Sequence, residues 1–426
     1  MIPAQGFVKN YHWGKVGNDS YIARFRDIAR DQFHSEGTAD NPDEETSKPL
    51  AEIWFGVHPL GPATVRVGKQ NVKLDSLLSR QPEMVGSIEH YRKFSKKLPF
   101  LMKILSISEP LSLQAHPDKK LAQDLHQKDP KNYPDSNHKP ELAIALTEFE
   151  VLCDFRPSSE IVHYMRTILP FRRLVGQENY DCYANSINNN EPQSNQRLAL
   201  SNCFKSLMTR HNDAVLKETK KLLLDQEATL VADKDLISLI SYLDRLYPGD
   251  PGTFMPFFLN YVKLAPGQAI YLKANKLHAY IRGECIECMA SSDNVVRAGL
   301  TTKYRDIKTL LTMLDYDCIK DVHDLIYKGL ENKRNPSILT FAPTEDFKVD
   351  KIVITGRHSP ETEQTLTHLL SGSFIVVLGG KASVRDFYDP HVEHKLVLGS
   401  AGYIPPKIAL KIHNVQGTLT IYRCYC

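Results

Sequence analysis

Apolar and polar positions alternate in short runs over most of this chain, and over one long interval they do not. Up to about Pro157 the alternation has the period of strands and is broken by Pro and Gly turns. Pro99 to Leu105 is apolar almost throughout, and Glu141 to Leu146 alternates small and large apolar residues as a buried strand does. From Ser158 to about Pro251 the period lengthens. Ile161, Met165, Ile168 and Leu169 recur at helical spacing, and Leu198 to Leu207, Ala214 to Leu224 and Leu236 to Leu246 repeat it, with Ser158, Ser159 and Glu160 offering a cap. Strand alternation returns from Gln268 to Met289, behind the turn Pro266-Gly267. The first β unit is therefore expected to be discontinuous, residues 1–157 and 252–335, with 158–251 as a helical insert.

After Asn335 a further β-rich unit, 336–426, is predicted, with strands over 349–355, 364–370, 373–378, 395–398, 402–405 and 418–424 between Gly-Gly and Pro-Pro turns. The sum is a mainly β chain with an α-helical insert, two jelly-roll β-barrels plus a helical domain. A shorter helix is expected from Pro117 to His126, with proline tolerated in its first turn. The polar, acidic run from Ser35 to Ser47 reads as a surface loop.

Composition narrows the function classes. With 53 Lys plus Arg against 50 Asp plus Glu, the formal charge of +3 argues for neither nucleic acid nor an anionic membrane. Lys217, Lys220 and Lys221 read as a solvated helix face. Met1 to Asn10 lacks a basic region followed by an apolar core, and no stretch approaches membrane-spanning length without charges, so a cytoplasmic protein is expected. The eight cysteines (153, 182, 203, 285, 288, 318, 424 and 426) form no disulfide framework, which agrees with a reducing compartment. Cys285 and Cys288 make a C-x-x-C pair, but residues three apart on a strand face opposite sides and cannot easily grip one ion. By the same parity Glu287 shares a face with Cys285 and Met289.

A dispersed set of ligand-type residues carries the chemistry. Gln114 and His116 are two apart, so on a strand both project from one face. Glu141 stands at the mouth of its strand. His278 follows an alternating strand that an antiparallel barrel can bring back to the first two. Two imidazoles, one carboxylate and one amide oxygen, without thiolate, suit a catalytic zinc site better than a structural one. A single carboxylate leaves the ion with excess positive charge, hence an effective Lewis acid. The C-terminal unit repeats no such pattern, and its His413 reads as structural.

The flanks of these residues resemble the type I mannose-6-phosphate isomerases, also called phosphomannose isomerases. Leu98 to Ser106 leading into Ser112 to Lys119 is similar to the family signature, and further matches lie at Asn10 to Gly14, Ala51 to Pro59, Lys139 to Glu141, Gly283 to Ala290 and Asp293 to Thr301. The resemblance implies a zinc enzyme with two cupin-like barrels that interconverts mannose 6-phosphate and fructose 6-phosphate through an enediol, feeding mannose into GDP-mannose and glycosylation. It implies one Zn2+ per chain on Gln114, His116, Glu141 and His278, and a catalytic arginine at Arg297. Pocket residues are expected at Ser112, Lys139, Tyr280, Glu287 and Lys303. The expected partner is a small sugar phosphate, with no nucleic acid or membrane, on a monomer.

Isomerisation needs a base, polarised oxygens and a grip on the phosphate. The permanent charge and planar fork of Arg297 suit the enediolate or the phosphate, whereas Lys139 and Lys303 are phosphate candidates. For the proton, Glu287, zinc-bound water and a lysine of depressed pKa all remain open. One departure weighs against activity: Lys276 and Leu277 stand where the family usually has Glu-Pro, and Arg282 replaces a small residue, placing cations beside His278. A zinc-binding paralogue with reduced or no isomerase activity and a sugar-phosphate binding or regulatory role is therefore the alternative. An iron-dependent oxygenase fits Gln114 and the basic surroundings less well.

Overall fold

A computed structural model describes residues 1–18, 20–33, 47–94, 97–225, 233–356 and 364–426. All but the last residue of the acidic run predicted as a loop, 35–46, lies outside them. Among the described residues the chain is mainly β with a helical region, and the strands form two antiparallel sheets of 11 strands each. No helix is long and apolar enough to cross a membrane among these residues.

The long strand His278–Ala290 organises the site-bearing sheet. It pairs with Phe100–Ile107 and Glu141–Ala145 along its second half, and with Phe149–Phe155 and Leu113–Ala115 along its first. Parity then sorts its side chains. Ile286 and Cys288 join Met102, Ile104, Leu142 and Ile144 against Phe374, Val376, Tyr403, Tyr422 and Cys424 of the other sheet, which forms the largest β core. Cys285, Glu287 and Met289 turn the other way, and Lys103, opposite Glu287, turns with them. A strand buried on both faces reads as a continuous apolar run, which is why Phe100–Ile107 shows no alternation.

The other sheet is built largely from the C-terminal segment, but it also recruits chain from the opposite end. Ile2–Gln5 pairs with Ala401–Ile404 on one side and Thr64–Val67 on the other, and Thr64–Val67 pairs in turn with Gln70–Lys73. Strand pairing of this kind is non-local, and alternation in sequence does not announce it.

The helical region includes Ser158–Thr167, Leu169–Val175, Gln177–Asn188, Gln193–Met208, Asn212–Leu224 and Lys234–Leu246. Ser158 is the first helical residue rather than a cap, because Pro157 occupies that position without a side-chain bond. Gln177–Asn188 escapes the periodicity: it buries only Tyr183, Ala184 and Ser186. A cluster of rings welds the helices to the site-bearing sheet. Phe171 lies 5.0 Å from Phe258 and 5.2 Å from Phe257, and Phe155, at the end of its strand, reaches Phe204 at 5.7 Å. The helix expected after Pro117 runs Lys119–Lys128, capped by Asp118, which accepts from Leu121 N at 2.9 Å.

Candidate active site

Register brings the ligand-type residues together. His278 lies opposite Gln114, and Gln114 lies opposite Arg297 on the neighbouring strand Val296–Gly299. Directly opposed residues share a face, so His278, Gln114 and Arg297 stand in a row. His116 follows two residues after Gln114. Glu141 enters from the second half of the sheet, opposite Met289, on the face that also carries Glu287.

One ligand atom from each of His116, Glu141 and His278 lies within 4.8 Å of the others, and all three side chains are buried. The outer ring nitrogens fix the tautomers. His116 Nδ1 lies 2.8 Å from the Asn294 carbonyl oxygen, and His278 Nδ1 lies 3.1 Å from that of Lys276. A carbonyl only accepts, so each Nδ1 carries the hydrogen and each Nε2 presents a lone pair inward. Those lone pairs meet the Glu141 carboxylate at 3.2 and 3.4 Å. Acceptor faces acceptor in a buried interior, and among the described residues His116 Nε2, His278 Nε2 and Glu141 Oε2 have no hydrogen-bond partner. Protonation is no remedy for His116, because burial pushes its pKa down to about 4. A divalent cation among the three satisfies every one of these atoms, and the nitrogen/oxygen donor set fits a catalytic metal. Gln114, in register with His278, accepts at Oε1 from Ser112 Oγ at 3.2 Å.

Above these atoms opens a cavity of about 230 Å³. Ser112, Gln114, Lys139, Glu141, Tyr280, Glu287, Arg297 and Lys303 all line it, while His116 and His278 are fully buried beneath. The expected ligand and pocket residues are thus at one place. Lys139 Nζ sits 3.1 Å from Glu141 Oε1. The Tyr280 hydroxyl is buried, and that burial, then the neighbouring Glu287, pushes its pKa well above the ordinary value. Arg297 and Lys303 have no carboxylate partner among the described residues. Burial lowers the pKa of both, and in Lys303 the charge of Arg297 adds to it. Two partly buried cations without counter-ions favour an anion between them.

The sequence reading missed part of the same wall. Glu52, Trp54, Lys103, Asp293 and Thr301 also line the cavity. Lys103 Nζ lies 2.9 Å from Glu287 Oε2 and 3.8 Å from Glu52 Oε2, and Trp54 Nε1 donates to Glu52. Burial opposes the ammonium charge, but Glu287 and Glu52 outweigh it and raise the Lys103 pKa. For Glu287 burial dominates and raises the carboxyl pKa in spite of Lys103. The available signal was the single charge inside the apolar run Leu98 to Leu105, since a lysine on a doubly buried strand is costly unless paired.

The two cations beside His278 are neutralised locally. Lys276 Nζ lies 2.9 Å from Asp315 and 3.8 Å from Asp154, and Arg282 Nε lies 2.7 Å from Glu150. The departure from the family pattern therefore does not leave a loose charge against the ligand.

Comparison with known proteins agrees with this geometry. Residues 1–158 match the family model of the phosphomannose isomerase type I catalytic domain, and residues 174–259 match that of its helical insertion domain. Mannose-6-phosphate isomerase of Rattus norvegicus is 36% identical over 100% of this chain and 98% of its own, and that of Emericella nidulans is 37% identical over 95% and 90%. Among solved structures, a variant of phosphomannose isomerase from Salmonella typhimurium aligns with a TM-score of 0.80 at 27% identity, covering 100% of this chain and 99% of that one. A mannose 6-phosphate isomerase bound with zinc and yttrium aligns with a TM-score of 0.78 at 27% identity over the same shares. With likeness running through the barrel, the helical insert and the C-terminal sheet alike, the chain belongs to the type I phosphomannose isomerase family.

Proposed function

We propose that the protein interconverts mannose 6-phosphate and fructose 6-phosphate, with zinc held by His116, Glu141, His278 and Gln114. The observation that carries this is a buried, donor-less trio of metal-ligand atoms at the floor of one cavity whose wall carries two cations without a carboxylate partner among the described residues. A bound zinc ion supplies polarisation of the sugar oxygens at C1 and C2. The rest falls to the chain's own residues. Lys303 takes the phosphate, and Arg297, next to Gln114 in register, directs its fork at the oxygens of the developing enediolate. Lys139, pinned to Glu141, stays beside the reacting end rather than reaching outward.

Glu287 is the residue we assign to proton transfer between C2 and C1. Its raised pKa brings it toward the working pH, where a carboxylate both removes and returns a proton efficiently, and Lys103 fixes its orientation. Ser112 and Tyr280 line the same wall, where Ser112 presents its hydroxyl oxygen to the substrate. The alternative, a paralogue without turnover, is not favoured: Lys276 and Arg282 are both ion-paired away from the ligand atoms.

A coupled assay on the purified protein, with mannose 6-phosphate as substrate, tests this. Turnover should vanish with chelator and return with added zinc, and His116→Ala should abolish both zinc content and turnover. A zinc-loaded protein that leaves mannose 6-phosphate unchanged would sink the reading.

A further inference from the structure

One carboxylate outside the cavity holds the segment that orients His116. Asp135 lies in the loop between the helix Lys119–Lys128 and the strand Glu141–Ala145, six residues before Glu141. Four donors converge on it. Its Oδ1 accepts from Ser292 Oγ at 2.8 Å, Asn137 N at 2.9 Å and Asn294 Nδ2 at 3.3 Å, and its Oδ2 accepts from Asp293 N at 2.7 Å. The Asn294 amide is further held by the carbonyl oxygens of Asp135 at 2.6 Å and Asn137 at 2.9 Å. Ser292 and Asn294 are buried. The turn so fixed presents the Asn294 carbonyl to His116 Nδ1 at 2.8 Å.

We propose that Asp135 is a positioning residue for the metal centre: through Asn294 it holds His116 in the tautomer and ring orientation that aim Nε2 at the ion. The proposal rests on the reading of His116, Glu141 and His278 as the metal site. Its physical basis is that a carboxylate is acceptor-only, so it alone among residues of this size takes four donors at once. Charge-assisted bonds of this kind are about twice as strong as neutral ones. The same anchor ties the loop that leads into Lys139 and Glu141 to the turn that leads into Arg297, because Asn137 bonds both Asp135 and, through Nδ2 at 3.1 Å, the Ser291 carbonyl. The segments that carry the cationic side chains and the metal ligands are thereby set in one register.

Asp135→Asn tests this in the full chain. The amide keeps the shape but turns an acceptor into a donor facing N–H and O–H donors, so the turn must shift. Outer partners of this kind alter metal affinity by about 10–100-fold. The zinc dissociation constant, measured by competition with a chromophoric chelator, should weaken by at least about tenfold. The visible absorption spectrum of the cobalt-substituted protein should change, since it reports the geometry of the ligand set. At saturating zinc, kcat should fall more than KM for mannose 6-phosphate rises. Asn294→Ala removes the anchored amide but keeps the backbone carbonyl, and serves as the second variant should Asp135→Asn fail to fold; it should move zinc affinity and the cobalt spectrum in the same direction. Wild-type zinc affinity with an unshifted cobalt spectrum in either folded variant would overturn the role of Asp135. If the wild-type protein itself takes up neither zinc nor cobalt, it is the metal-site reading that falls.

Discussion

Lys103→Met is the sharpest probe of the cavity wall. Methionine keeps the apolar stem of lysine and removes the ammonium, leaving the buried carboxylates of Glu287 and Glu52 without the cation that stands 2.9 and 3.8 Å away. Deleting one member of a buried pair costs about 3–5 kcal/mol, because the remaining charge stays in a low-dielectric interior. The cost should depend on pH, and its sign follows from Glu287. Burial already raises that carboxyl above its unfolded value, and removal of Lys103 raises it further. Between the unfolded value near 4.3 and the raised folded value, the native state binds more protons than the unfolded chain, so stability falls as pH rises, by about 1.4 kcal/mol per unit. The full cost is therefore expected at pH 8, and most of it should be gone at pH 5. Urea denaturation of wild type and variant at both pH values, in chelator so that metal loss does not contribute, reads it directly. A loss below about 1 kcal/mol at pH 8, or an equal loss at the two pH values, would refute the argument that this lysine compensates buried carboxylate charge.

Two further outcomes are expected. Arg297→Lys keeps the charge and loses the fork, so turnover should fall at least about tenfold, roughly 1.4 kcal/mol of barrier, with zinc content unchanged; near-wild-type turnover would remove Arg297 from the chemistry. Lys276→Glu should leave zinc affinity no tighter, because it sets a third acid against Asp315 and Asp154; thermal denaturation should show a loss of stability, larger at pH 7 than at pH 4, and an unchanged melting temperature at pH 7 would contradict it.

The site was legible in the sequence because its residues break the patterns around them. Gln114 and His116 are polar at one parity of a strand, and Glu141 opens an otherwise apolar run. Lys103 breaks its pattern too, yet a lone lysine in a sequence has no visible counter-charge, and Glu287 becomes its partner only through a register 184 residues away. The His278 neighbourhood misled for the same reason: Lys276 and Arg282 read as uncompensated cations until Asp315 and Glu150 are brought to them. The helices that bury several large apolar side chains were readable, whereas Gln177–Asn188, which buries only Tyr183, Ala184 and Ser186, has no run of large aliphatic residues at helical spacing. Periodicity reports which face of an element is buried; it does not report against what.

The pairing of Ile2–Gln5 with Ala401–Ile404 has a consequence for how the molecule comes into being. The two strands are separated by about 400 residues, and at a synthesis rate of about 5–20 residues per second the earlier one waits roughly 20–80 s for its neighbour. Throughout that interval its backbone donors and acceptors on one side lie open, with Ile2 lacking its final cover, and an open strand edge invites pairing with another chain. A nascent chain arrested before residue 401 should thus be the aggregation-prone species, and its capture by holdase chaperones should end abruptly once Ala401–Ile404 has left the ribosome.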